Sequence, residues 1–273
     1  MSGPECADPG PRFDPLVPHP ARVYGYWLGG KDHYPADREV AEEVIRWRPQ
    51  VVAGARANRA FLARVVRYLA SECGVRQFLD IGTGLPAPDS THQVAQAIAP
   101  VGRVVYADND PLVLVHARAL LTSGPQGSCD YVEADLRDTP AVLTGAARTL
   151  DFARPVAVLL LAVLHFLTDT DDPAGVVAAL ARRLAPGSFV VISHLTARFR
   201  ARPGGRGVET YTSLVPTPLV PRTHAQVSAL FGGLPLVPPG VVPVTEWRPV
   251  SVSPAPYVAD LYAGVARKPE GRL

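Results

Sequence analysis

Apolar positions along this chain fall into two rhythms that take turns. From residue 76 onward, short and nearly continuous apolar runs predict strands over 76–81, 103–108, 128–133, 155–161 and 188–194. Between them, helically spaced apolar residues predict helices over 91–99, 112–122, 139–147 and 172–184. Val156 to Leu161 is apolar throughout, as expected of a parallel strand covered on both faces. Strand–helix alternation of this kind predicts an α/β fold with a doubly wound sheet. Two helices, 36–47 and 55–72, precede it; the second carries Phe61, Val65, Tyr68 and Leu69 at helical spacing and stops at Gly74. After Thr196 the rhythm breaks. Residues 198–221 are rich in Arg, Gly and Pro and are expected to form a mobile insertion over the pocket. A helix over 223–231 and short strands near 234–245 and 257–266 follow, the latter as a closing antiparallel pair.

Composition narrows the class. A chain of 273 residues with 47% apolar content can bury a full core. The net charge of +2 supplies no field that would draw nucleic acid or a membrane surface, so neither is expected as a partner. Lys31 and Lys268 are the only lysines. Cys6, Cys73 and Cys129 are too few and too scattered for a disulfide framework or a zinc site. Residues 1–19 contain Pro4, Pro9, Pro11, Pro15 and Pro18 and are expected as a flexible tail. With no signal-peptide pattern and no apolar run of membrane-spanning length, a cytoplasmic location is expected.

The chemistry gathers at strand ends. The run Phe78-Leu79-Asp80-Ile81-Gly82-Thr83-Gly84-Leu85-Pro86 ends a strand in an acid and then bares its backbone at two glycines, which suits a nucleotide-type ligand. Gly82 to Ala87 formally fits the dinucleotide pattern G-x-G-x-x-G/A. That motif needs a helix opening inside it, and Pro86 and Pro88 push their preceding residues out of the helical region. A helix starting near Asp89-Ser90-Thr91 leaves a loop too long to grip a pyrophosphate. It suits the amino-acid end of S-adenosylmethionine, whose ammonium group Asp80 would attract. Asp108 ends the next strand 24 positions after Gly84, where a carboxylate can accept both ribose hydroxyls of either ligand. Asn109 can bond ribose or simply shape the turn that follows. Asp135 lies just past the end of the third strand and is placed for an adenine amino group.

These segments resemble the class I S-adenosylmethionine-dependent methyltransferases, and more closely an actinobacterial family of them. The resemblance runs from about residue 19 to residue 268. It is carried further by Leu28-Gly29-Gly30-Lys31-Asp32, Ala55-Arg56-Ala57-Asn58-Arg59-Ala60-Phe61, Tyr106-Ala107-Asp108-Asn109-Asp110-Pro111, Ala134-Asp135-Leu136-Arg137-Asp138 and Leu161-Ala162-Val163-Leu164-His165-Phe166. Pro86 stands where the general superfamily often has a third glycine. The resemblance implies a Rossmann-like, doubly wound, seven-stranded methyltransferase sheet over 75–268 with an N-terminal helical cap over 20–74. It implies S-adenosyl-L-methionine as cofactor, with Thr83, Leu136 and Ala162 joining the residues above in its pocket. His165 follows the fourth strand, whose end faces the methyl group in this fold, and is the first candidate for general base; His194, ending the fifth strand, is the second. The aromatic, glycine-containing segment 22–34 reads as a lid, with Tyr24, Tyr26, Lys31 and Asp32 as its pocket contacts. No metal is implied. The expected activity is methyl transfer to a small-molecule acceptor, with a non-catalytic cofactor-binding sensor and a nicotinamide-dependent oxidoreductase as alternatives. Oligomeric state stays open.

Overall fold

The computed structural model describes residues 14–120, 123–199, 207–249 and 260–270. Its centre is a seven-stranded sheet in the order β3-β2-β1-β4-β5-β7-β6. The strands are β1 Gln77–Ile81, β2 Arg103–Asp108, β3 Ser128–Glu133, β4 Ala157–Leu161, β5 Phe189–Leu195, β6 Val242–Pro243 and β7 Leu261–Arg267. The first five run parallel and β7 is antiparallel to both neighbours. The expected seven-stranded α/β architecture is therefore present.

The helices are α1 Pro20–Trp27, α2 Pro35–Trp47, α3 Val51–Ser71, α4 Thr91–Ile98, α5 Pro111–Leu120, α6 Thr139–Ala146, α7 Pro173–Arg183, α8 Gly207–Leu214 and α9 His224–Ala229. α3 starts at Val51, four residues ahead of the expected position. Residues 234–245 yield only the two-residue β6 and an isolated bridge from Leu236 to Ala266. Pro235, Pro238, Pro239 and Pro243 lack the N–H groups a longer ladder needs. The expected tail lies outside the described residues up to position 13, as do 200–206 of the expected insertion and 257–259 of the last expected strand.

Strand alternation divides the core between the two sheet faces. Phe78, Val104, Leu159 and Val191 pack with Phe61, Val65 and Leu69 of α3 and with Trp247. Leu79, Val105, Leu160 and Ile192 pack against Val142 of α6 and Val177 and Leu180 of α7. Each such fully buried side chain contributes about 1.5–3 kcal/mol. A third cluster roofs the C-terminal sheet edge: Val23, Val40 and Val44 meet Leu195 of β5 and Val208, Tyr211 and Val215 around α8. Buried Arg22 lies 3.4 Å from both Asp37 and Asp110, which ties α1 to α2 and to the start of α5. The N-terminal helices are thereby fixed over the strand ends. No helix among the described residues is long and apolar enough to cross a membrane.

Candidate cofactor and acceptor site

One continuous cavity lies over the C-terminal ends of the parallel strands. Asp80 leaves β1 buried, with its Oδ2 accepting the Thr91 hydroxyl at 2.6 Å. Burial pushes its carboxyl up to about 6, against the opposing pull of that hydroxyl and of Arg59. Gly82 has φ +70, and a Cβ there would stand 2.4 Å from Val163 Cγ2. Gly84 has φ +66 but faces open space, so its missing side chain leaves room in the cavity. Residues 85–90 form no helix, and α4 begins at Thr91 with Ser90 in a capping box. The helix therefore does not open inside the glycine motif, as the pyrophosphate grip of a dinucleotide fingerprint requires.

Asp108 leaves β2 buried. Its Oδ2 accepts the Gly84 N–H at 2.9 Å and its Oδ1 accepts the Asp110 N–H at 3.0 Å. Each oxygen keeps a second acceptor position, and burial raises its pKa. Asn109 Nδ2 donates to Asp135 Oδ2 at 3.0 Å, and Arg137 bonds Asp135 and Asp171, so the loops after β2 and β3 hold each other. Thr83, Asn109, Asp135 and Leu136 all line the cavity. Ala162, after β4, has φ +54, a strained value for a residue with a Cβ. Its N–H donates to Ser193 O and Ser193 Oγ, each at 3.0 Å. Ser193 Oγ donates to Asn58 Oδ1 at 2.6 Å; Asn58 Nδ2 donates to Tyr24 Oη at 3.1 Å; Tyr24 donates to Ala55 O at 3.0 Å. This relay locks β4, β5, α3 and α1 around the cavity wall.

The two histidines separate. His165 is buried and lines the cavity. Its Nδ1 accepts the Leu195 N–H at 3.3 Å, so the proton of the neutral ring sits on Nε2. Burial, then His194 and Arg222, hold its pKa well below 6.5. This tautomer donates a hydrogen bond and has no free lone pair for a general base. His194 does not line the cavity: it is fully buried, with Nδ1 2.8 Å from Leu195 O and Nε2 3.1 Å from Arg222 Nη1. Burial lowers its pKa to about 4. Alternation along β5 explains this, because Ser193 and His194 project to opposite faces.

Of the expected lid contacts, only Tyr24 reaches the cavity. Tyr26 bonds Glu42 at 3.0 Å and packs edge-on against His33; Lys31 is exposed; Asp32 lies 3.7 Å from His116. From the same segment, Trp27 and, just ahead of it, His19 and Pro20 line the cavity instead. α1 has turned through a helix, so alternate residues no longer share a side.

Three residues beyond the expected site residues also line the cavity. Arg59 of α3 uses Nε and Nη2 to hold Pro88 O and Ala87 O at 3.1 and 3.0 Å, and it acts electrostatically on Asp80 and Tyr24. Asn58 is the hub of the relay above. Asp260, just ahead of β7, pairs with buried Arg48 through Nε at 2.8 Å and also Nη2. Among the described residues, no group of three or more His, Cys, Asp or Glu side chains is placed to hold a metal ion.

The sequence profile of S-adenosyl methyltransferases matches residues 7–269 of this chain. Among solved structures, a DUF574 family protein from Streptomyces avermitilis is 44% identical, with TM-score 0.87 over 93% of this chain and 98% of that one. A proposed methyltransferase from Thermobifida fusca is 38% identical, with TM-score 0.86 over 96% and 98%. Human N-acetylserotonin methyltransferase in complex with SAM shares the fold at 17% identity, with TM-score 0.50 over 93% of this chain and 63% of that one. No curated protein matches by sequence.

Proposed function

Because the chain belongs to the S-adenosyl methyltransferase family, and S-adenosyl-L-methionine is that family's cofactor, we propose that it methylates a small-molecule oxygen, nitrogen or carbon nucleophile held in the same cavity. The observation that carries this reading is the continuity of that cavity. One end has the glycine loop and three acids at successive strand ends; the other is walled by Trp27, Val44, Phe166 and Leu219.

Bound S-adenosylmethionine supplies a sulfonium whose methyl carbon is open to in-line displacement. The protein's part is to bind, orient and exclude water. Asp80 meets the ammonium group, and Arg59, whose Nη1 has no protein partner among the described residues, meets the carboxylate. Asp108 takes the ribose hydroxyls with its spare acceptor positions, and Asp135 the adenine amino group. The bare Gly84 backbone permits close approach. His165, fixed as an Nε2–H donor, orients the acceptor and does not deprotonate it. Alignment of this sort supplies much of the rate when the leaving group is already activated. Helices α1, α2 and α8 close the roof and keep the site dry.

Incubation with S-adenosylmethionine and a panel of small phenols, amines and activated carbon acids tests the proposal by formation of S-adenosylhomocysteine. Acceptor-dependent formation, lost in Asp108→Ala, is the expected result. Tight cofactor binding with no turnover on any acceptor would favour the sensor reading.

A further inference from the structure

The acceptor end of the cavity has a defined chemistry. Its walls are largely apolar, from Trp27, Val44, Val51, Phe166, Leu219 and Leu261. Two polar groups stand at the sheet edge beneath those walls. The register pairs Leu195 with Leu261, and the Thr196 N–H donates to Asp260 O at 2.8 Å, so Asp260 flanks the end of β5 from the β7 side. His165 flanks the same strand end from the β4 side, through its bond from the Leu195 N–H. Adjacent strands lie about 4.8 Å apart, so the two groups stand on either side of one strand.

Asp260 is only partly engaged. The Nε and Nη2 contacts of Arg48 both fall on Oδ2, while Oδ1 has no protein partner among the described residues, and Asp260 is one of the residues lining the cavity. Arg48 spends its charge on this pair. The guanidinium groups that line the cavity, among the described residues, stand elsewhere: Arg59 at the glycine loop beside Asp80, and Arg137 paired with Asp135 and Asp171. Beside the neutral side chains of Gln50, Tyr211 and Thr217, the acceptor end therefore offers one carboxylate oxygen and one imidazole N–H inside largely apolar walls. A phosphate or carboxylate entering it would be desolvated beside Asp260, with no Lys or Arg among the described lining residues there to meet it.

We propose that the acceptor is a compact, apolar, non-anionic molecule whose hydroxyl or amine N–H is received by Asp260 Oδ1. Asp260 is thus a specificity-determining residue. This rests on the methyltransferase reading for the word acceptor, while the binding preference itself does not depend on it.

The test compares 2-naphthol with 2-naphthoate by quenching of tryptophan fluorescence. Trp27 is the only one of the three tryptophans that lines the cavity, so Trp27→Phe reports whether the probe sits there. The expected result is that 2-naphthol binds the wild type at least about tenfold more tightly than 2-naphthoate, with quenching lost in Trp27→Phe. Asp260→Asn removes the charge and releases Arg48, so it should erase or invert that preference. Equal binding of the two probes by the wild type would overturn the proposal, even if Asp260→Asn failed to fold. An unchanged preference in a folded Asp260→Asn would overturn it too. S-adenosylhomocysteine is titrated separately. If it fails to bind while the naphthol preference persists, the methyltransferase reading falls and the Asp260 assignment stands; binding of it without probe discrimination sinks only the latter.

Discussion

The Gly84 N–H donates to Asp108 Oδ2 at 2.9 Å, joining the glycine loop after β1 to the acid that ends β2. The two parts of the pocket are thus one unit. Truncating Asp108 both removes the ribose acceptor and frees the loop. Asp108→Ala is expected to weaken S-adenosylhomocysteine and 5′-methylthioadenosine alike, by about 30-fold or more, because both carry the ribose. Titration calorimetry with the two ligands checks this; a loss confined to one of them would argue against the assignment.

Arg59 should behave differently. It lies at the glycine loop with one guanidinium nitrogen uncommitted among the described residues. Arg59→Met is expected to weaken S-adenosylhomocysteine by about tenfold to a hundredfold, on the scale of a charge-assisted hydrogen bond. Binding of 5′-methylthioadenosine, which has no carboxylate, should change little. Parallel loss of both ligands would mean that Arg59 acts only by holding Ala87 and Pro88.

The two pocket glycines separate fold from binding. Gly82→Ala places a Cβ 2.4 Å from Val163 at φ +70, and should cost about 2–4 kcal/mol of stability from clash and strain together. Gly84→Ala has the strain without the clash, so about 1 kcal/mol is expected. Its methyl group would enter the cavity and weaken cofactor binding. Denaturant unfolding beside ligand titration distinguishes the pair; equal stability losses would contradict the geometry.

Asp80 makes the protein sensitive to pH in a stated direction. Its folded pKa of about 6 lies above the ordinary 3.8, so the folded state holds the proton more tightly. Its ionisation therefore costs the ligand-free protein stability as pH rises from about 4 to about 6, by about 3 kcal/mol at most. Asp80→Asn should be the more stable protein at pH 7, with the difference closing below pH 4. His194 acts oppositely: its pKa of about 4 makes stability fall as pH drops below 6.5, so the wild-type curve alone would mask both. An ammonium ligand needs Asp80 ionised, so affinity for S-adenosylhomocysteine should drop about tenfold per pH unit below 6. A flat profile would remove Asp80 from the ammonium site.

Much of this was legible in the sequence, for local reasons. The glycine loop, the capped start of α4 and the acids ending β1, β2 and β3 follow from turn chemistry and strand patterning over a few residues. Asp260 was not, because its pairing with Arg48 spans 212 positions and depends on the antiparallel seating of β7. Arg59 and Asn58 look like ordinary positions on a helix face until the helix is docked over the strand ends. His194 was readable but misread: the alternation that sends Ser193 toward Asn58 sends His194 the other way, onto Arg222. The lid segment failed for a related reason, since a helix at 20–27 faces Tyr24 and Trp27 inward and turns Tyr26 out. The expected insertion also has more structure than its composition suggests, because Val208, Tyr211 and Val215 supply α8 with a face that packs on α2.

Whether this strand edge binds S-adenosylmethionine is read from calorimetric titration of the purified protein with S-adenosylmethionine and S-adenosylhomocysteine. Saturable binding of both ligands by the wild type is expected. Absence of heat and of any thermal shift at millimolar ligand would contradict it.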